Sequence, residues 1–129
     1  MRLKKRSTNK IDEKQMNIRQ GDIFWISPNE SNGIASDYTH PHMVIHDDAL
    51  NTVVVCALTS NLKRAKEHGN VLLEDGEANL PRQSVVVVSQ VSRVDKSQLG
   101  KYIGTLTEQR ISQVLAGMRF LQFITQHHE

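Results

Sequence analysis

The run Val53-Val54-Val55-Cys56-Ala57-Leu58 has no polar side to turn toward water. A strand alternates its side chains between two faces, so a run that is apolar on both must be covered on both. Val85-Val86-Val87-Val88 imposes the same condition further along. Two such strands call for a sheet with material on each side. The residues around the first run build a hairpin: His40 to His46 reads as a strand, Asp47-Asp48-Ala49-Leu50-Asn51 as a turn, and Thr52 to Leu58 as the returning strand. Because the chain reverses at that turn, His40 and the cluster Thr59-Ser60-Asn61 arrive side by side at one edge of the sheet.

The other elements follow from local pattern. Gly21 to Ile26 is aromatic and β-branched and reads as a first strand. Pro28 to Thr39 is turn chemistry throughout, a loop long enough to suggest a functional role. Asn61 to Asn70 reads as a charged loop, Val71-Leu72-Leu73 as a short strand, and Glu74 to Glu77 as a turn. Gln83 to Val91 reads as a second central strand, Arg93 to Gly100 as a polar connection, and Tyr102-Ile103-Gly104 as a last short strand. Thr107 can cap a terminal helix whose Ile111, Val114, Leu115, Met118, Leu121 and Ile124 form one apolar face. The fold class expected is mostly β (α+β): a small barrel or curled sheet capped by a C-terminal helix.

At 129 residues the chain is expected to hold a single domain, residues 18–126, preceded by a basic and disordered arm at 1–17 and followed by a frayed tail at 127–129. The net charge of +2 hides an asymmetry. Residues 1–14 carry six basic and two acidic side chains, which leaves ten basic and twelve acidic ones for the remainder. Any nucleic-acid binding must therefore come from a local patch or from the arm, not from bulk charge. The lone Cys56 sits inside an apolar run, fits a reducing compartment, and reads as a small core residue. No apolar run approaches the roughly 20 residues of a membrane span, and the amino-terminal residues lack a signal-peptide pattern, so a cytoplasmic protein is expected.

His40, His42 and His46 share strand parity. An H-x-H pair on a strand can hold zinc, but nothing in the sequence completes a tetrahedral set, and no metal or cofactor is expected. His42 and His46 read as half-exposed strand residues. His40 precedes Pro41 at a loop–strand junction, where the backbone is extended and the side chain can face a cleft. Thr59, Ser60 and Asn61 cluster donors and acceptors at a strand end. Lys63, Arg64 and Lys66 follow at once, and Arg82 stands just before the second central strand, so together they can hold a phosphate. The chain has no Gly-rich phosphate loop, G-x-S-x-G, CxxC pair or dinucleotide fingerprint.

Seven segments in order resemble the MazF/PemK/Kid toxins: Gly21-Asp22-Ile23-Phe24-Trp25, the variable loop, Pro41 to Ile45, Val54 to Asn61, Asn79-Leu80-Pro81-Arg82-Gln83-Ser84-Val85-Val86, Gln90 to Asp95, and Ile103-Gly104-Thr105-Leu106. The resemblance spans about Arg19 to Gln122. It implies an SH3-like barrel of the CcdB/PemK type with a C-terminal helix, working as a homodimer. It also implies a metal-independent endoribonuclease that cuts single-stranded RNA at short sequences. A cognate antitoxin silences such toxins, and the pair represses its own operon at the operator DNA. Catalysis would fall to His40 and Thr59, with Ser60, Asn61, Lys63, Arg82 and Gln90 around the substrate. The family usually carries an arginine in the slot of His40, and in some members a basic–acidic pair where Val87 and Ser89 stand here. That departure keeps a rival in play, a PemK-like module that binds RNA, DNA or a partner protein without cutting. A gyrase-directed toxin is a weaker rival, because the terminal Gln126-His127-His128-Glu129 differs from the apolar ending of those relatives.

Overall fold

The structure, a computed structural model, describes residues 17–27 and 40–127; the expected basic arm up to residue 16, the loop at 28–39 and the last two residues lie outside the described residues. One antiparallel sheet contains β1 (Asp22–Ile26), β2 (His40–Asp47), β3 (Thr52–Thr59), β4 (Val71–Leu72), β5 (Val85–Asp95) and β6 (Leu99–Thr105). Their order is β4-β5-β3-β2-β1-β6, which puts the doubly apolar β3 near the middle, between β5 and β2. The helix α1 (Glu108–Gln126) follows β6.

Alternation divides the strands between two cores. Ile23, Met43, Cys56 and Leu58 join Leu73, Leu80, Val86, Val88, Leu106 and Val114 in one cluster. Phe24, Ile26, Val44, Val53 and Val55 turn to the opposite face and meet Ile18 and Leu99, with Val94 packed against them. Helix α1 covers the first cluster through Ile111, Val114, Met118 and Leu121, as the apolar stripe predicts, while Leu115 and Ile124 are half-buried. Thr107 caps it, its side-chain oxygen accepting the Arg110 N–H at 3.1 Å.

The second cluster is enclosed because the sheet curls on itself. In a flat sheet β5 and β6, four positions apart, would lie about 19 Å from each other. The turn Lys96–Gln98 joins them directly, and a link that short spans at most about 14 Å. Leu99 of β6 and Val94 of β5 accordingly share one cluster. β4 and β6 remain as edges, so the sheet is barrel-like and open.

Two features depart from the sequence expectation. The polar connection expected from Arg93 to Gly100 is mostly strand, since β5 runs to Asp95 and β6 starts at Leu99. Ladder hydrogen bonds to β3 hold this part of β5, where Arg93 and Asp95 are exposed and Val94 alone packs inward, so no apolar run marks it. The charged loop after Asn61 contains a 3₁₀ turn, Leu62–Lys66. The structure also shows a large bulge in β5: Cys56 pairs with Val91, yet Leu58 pairs with Val86. Two of its backbone groups are met by side chains. The Val88 N–H donates to Asn70 Oδ1 at 3.0 Å, and the Cys56 thiol donates to the Val87 carbonyl at 3.1 Å.

Candidate active site

The β2–β3 register pairs His42 with Ala57, Met43 with Cys56 and Val44 with Val55. Continued two residues, it sets His40 opposite Thr59 at the sheet edge. There His40, Thr59, Ser60 and Arg82 line one cavity of about 480 Å³, walled by Trp25, Pro41, Leu58, Pro81 and Ser84. Three segments distant in sequence thus deliver an imidazole, two hydroxyls and a guanidinium to one place. Trp25 and Ser84 carried no sequence signal for the site. Trp25 is the register partner of Pro41, and Ser84 is buried where β5 begins.

Local hydrogen bonds fix these groups. Thr59 Oγ1 accepts the Asn61 N–H at 3.1 Å, which leaves the hydroxyl hydrogen of Thr59 to donate elsewhere. Asn61 Oδ1 accepts the Lys63 N–H at 3.2 Å and so caps the 3₁₀ turn. Ser84 Oγ donates to the Arg82 carbonyl at 2.9 Å, and Gln83 Nε2 donates to the Leu73 carbonyl at 2.9 Å, pinning the backbone on which Arg82 sits. Asn61, Lys63 and Gln90 are exposed and do not line this cavity. Arg64 is engaged with Glu67.

The other candidates sort by environment. His42 is half-buried, and its Nδ1 lies 3.0 Å from the His40 carbonyl oxygen. Burial holds its pKa below the ordinary histidine value, against the opposing effect of that hydrogen bond. His46 is exposed, with Nε2 3.6 Å from the Asp48 carboxylate. Among the described residues no group of three His, Cys, Asp or Glu side chains is placed to hold a metal ion. Burial pushes the Cys56 thiol up to about 12, so it is no nucleophile at neutral pH. Val87 is buried and Ser89 exposed, and neither ionises. No helix among the described residues is long and apolar enough to cross a membrane.

Comparison with known proteins matches residues 19–121 to the family described as PemK-like, MazF-like toxin of type II toxin-antitoxin system. The endoribonuclease MazF2 of Mycobacterium bovis is 30% identical over 109 residues, covering 81% of this chain and 96% of that protein. The endoribonuclease MazF of Staphylococcus epidermidis is 28% identical over 101 residues, covering 75% and 84%. Among solved structures, MazE–MazF from Deinococcus radiodurans superposes with a TM-score of 0.65 at 18% identity, covering 83% of this chain and 96% of that one. A mycobacterial endoribonuclease in complex with its cognate antitoxin gives 0.64 at 15% identity, with coverage of 83% and 96%. At those identities the structural likeness speaks to the fold.

Proposed function

The chain belongs to the PemK-like, MazF-like toxin family of type II toxin–antitoxin systems, and from that membership we propose that it is a toxin endoribonuclease, cutting single-stranded RNA at short sequences in the His40–Thr59 cavity. The relatives of about 30% identity carry that activity in their names. The observation that carries the assignment to this site is the convergence of His40, Thr59, Ser60 and Arg82 on one cavity.

RNA brings its own nucleophile. The 2′-OH attacks the adjacent phosphorus and gives its proton to a base. The P–O5′ bond breaks, O5′ takes up a proton, and a 2′,3′-cyclic phosphate and a 5′-OH remain. His40 serves as one of the two proton-transfer groups, since imidazole changes charge near neutral pH. The Thr59 oxygen is already occupied by the Asn61 N–H, so its hydroxyl hydrogen is the part that reaches a non-bridging phosphate oxygen. Ser60 adds a second hydroxyl, and the Arg82 guanidinium offsets the charge that builds up as the bond forms. Asn61 acts as a positioning residue for Thr59, and Lys63 offers charge to RNA flanking the cut. No step in this scheme draws on a metal ion.

The reading extends to the partners. A cognate antitoxin neutralises the toxin by occupying the RNA groove, a homodimer is the working form, and the toxin–antitoxin complex binds operator DNA. On this reading the toxin acts on transcripts in the cytoplasm.

Replacing His40 by alanine should abolish cleavage while leaving the thermal midpoint nearly unchanged, because the side chain is exposed. An active His40→Ala protein removes His40 from the mechanism. One observation favours a second reading: a histidine stands where the family usually has arginine. Tight binding of RNA that stays intact, by folded and antitoxin-free protein, would select a non-cutting binding module.

A further inference from the structure

A second cavity, of about 420 Å³, shares His40 as a wall with the first. Its polar groups are already oriented by the fold. His42 Nδ1 faces a carbonyl oxygen, which can only accept, so Nδ1 carries the hydrogen and Nε2 is left as an acceptor. Gln98 Oε1 accepts the Asp95 N–H at 3.0 Å, which leaves its NH₂ group as a donor. Ile26 and Val94 supply apolar wall. Among the described residues that line it, Arg93 is the one permanently charged, and its guanidinium is ion-paired with Asp48.

A second phosphate would want a cation not already committed. A flat neutral group with a hydrogen-bonding edge suits what this cavity has: apolar wall from Ile26 and Val94, an oriented acceptor on His42, an oriented donor on Gln98, and the hydroxyls of Ser27 and Ser92 beside them. Each nucleobase carries a donor beside an acceptor on its Watson–Crick edge. A fixed acceptor–donor pair therefore accepts some edges in register and rejects others. We propose that the His42–Gln98 cavity seats the nucleobase adjoining the cleaved phosphate and thereby sets a base preference of the cut. The proposal rests on RNA cleavage at the neighbouring His40–Thr59 cavity.

The test maps fragment ends from a random-sequence RNA pool treated with wild-type protein, His42→Phe and Gln98→Glu. His42→Phe keeps a flat ring and removes the acceptor. Gln98→Glu keeps the oxygen that holds the Asp95 N–H and removes the donor, so it decides the matter should His42→Phe fail to fold. Both variants should still cut, with the base preference reduced about tenfold at the same single position beside the cut. Cutting by folded variants with the wild-type preference would overturn the subsite and leave the cleavage reading standing. RNA left intact by the wild-type protein would overturn both.

Discussion

The thiol of Cys56, buried on β3, donates to the carbonyl oxygen of Val87 at 3.1 Å across the bulge of β5. The contact assigns this lone cysteine a structural task, since without it a buried carbonyl loses its donor. Cys56→Ala should destabilise the fold by about 1–3 kcal/mol, from the unsatisfied acceptor and the small void. Because burial pushes the thiol pKa up to about 12, native protein should resist a thiol-specific reagent at pH 7. Labelling kinetics with and without urea check this: native labelling as fast as denatured labelling would contradict it.

Helix α1 reaches the first core by laying Gly117 directly on Gly69. A Cβ at Gly117 would sit 2.0 Å from the Gly69 carbonyl oxygen, and one at Gly69 would sit 2.5 Å from the Gly117 oxygen. Both obstacles are backbone, so neither can swing away. Gly117→Ala should cost about 1–3 kcal/mol despite alanine's better helix propensity. Gly76→Ala is the contrasting case, for Gly76 has a positive φ, which Gly117 does not, and nothing within 4 Å of the added carbon. Urea melts of the two variants should separate close approach from left-handed strain, with Gly117→Ala the less stable.

His42 gives stability a pH dependence of known sign. Its pKa in the fold lies below the ordinary 6.5, chiefly through burial, so the unfolded chain binds the proton more readily. The associated stability is fully present above about pH 6.5 and is lost as pH falls toward the lowered native pKa. Denaturant midpoints between pH 7.5 and 5 should therefore fall less steeply for His42→Phe than for wild type. Equal slopes would contradict a half-buried imidazole that the fold keeps neutral.

Thr59 and Asn61 separate contact from positioning. Thr59→Val keeps the branched shape and removes the hydroxyl, and should lower kcat by about 10²–10³, the usual cost of a lost transition-state donor. Thr59→Ser should restore most of it. Asn61→Ala removes the turn cap while leaving its N–H in place, so it should act on kcat more mildly than Thr59→Val. An equal loss in both would place Asn61 on the substrate itself.

Much of this is legible in the sequence. The doubly apolar run at 53–58 demanded a central strand with two covered faces, and β3 does contribute Val53 and Val55 to one core and Cys56 and Leu58 to the other. The hairpin reversal was enough to bring His40 to Thr59. The end of β5, from Arg93 to Asp95, is not legible, because ladder bonds leave no trace in side-chain polarity. The bulge was equally silent, since its determinants, Asn70 and Cys56, lie on other elements. His42 reads as a half-exposed strand residue and is half-buried, but its place in a cavity is not legible. Its orientation comes from a contact with its own strand, and its cavity from β5 and the Lys96–Gln98 turn.

The most direct measurement incubates purified, antitoxin-free protein with a long single-stranded RNA in EDTA, alongside the same RNA carrying a 2′-deoxy substitution at each mapped cut. Discrete cuts ending in 2′,3′-cyclic phosphate, lost with each 2′-deoxy substitution and lost again in His40→Ala, are expected. RNA left intact by the folded wild-type protein, or cut equally well without the 2′-OH, would contradict the account.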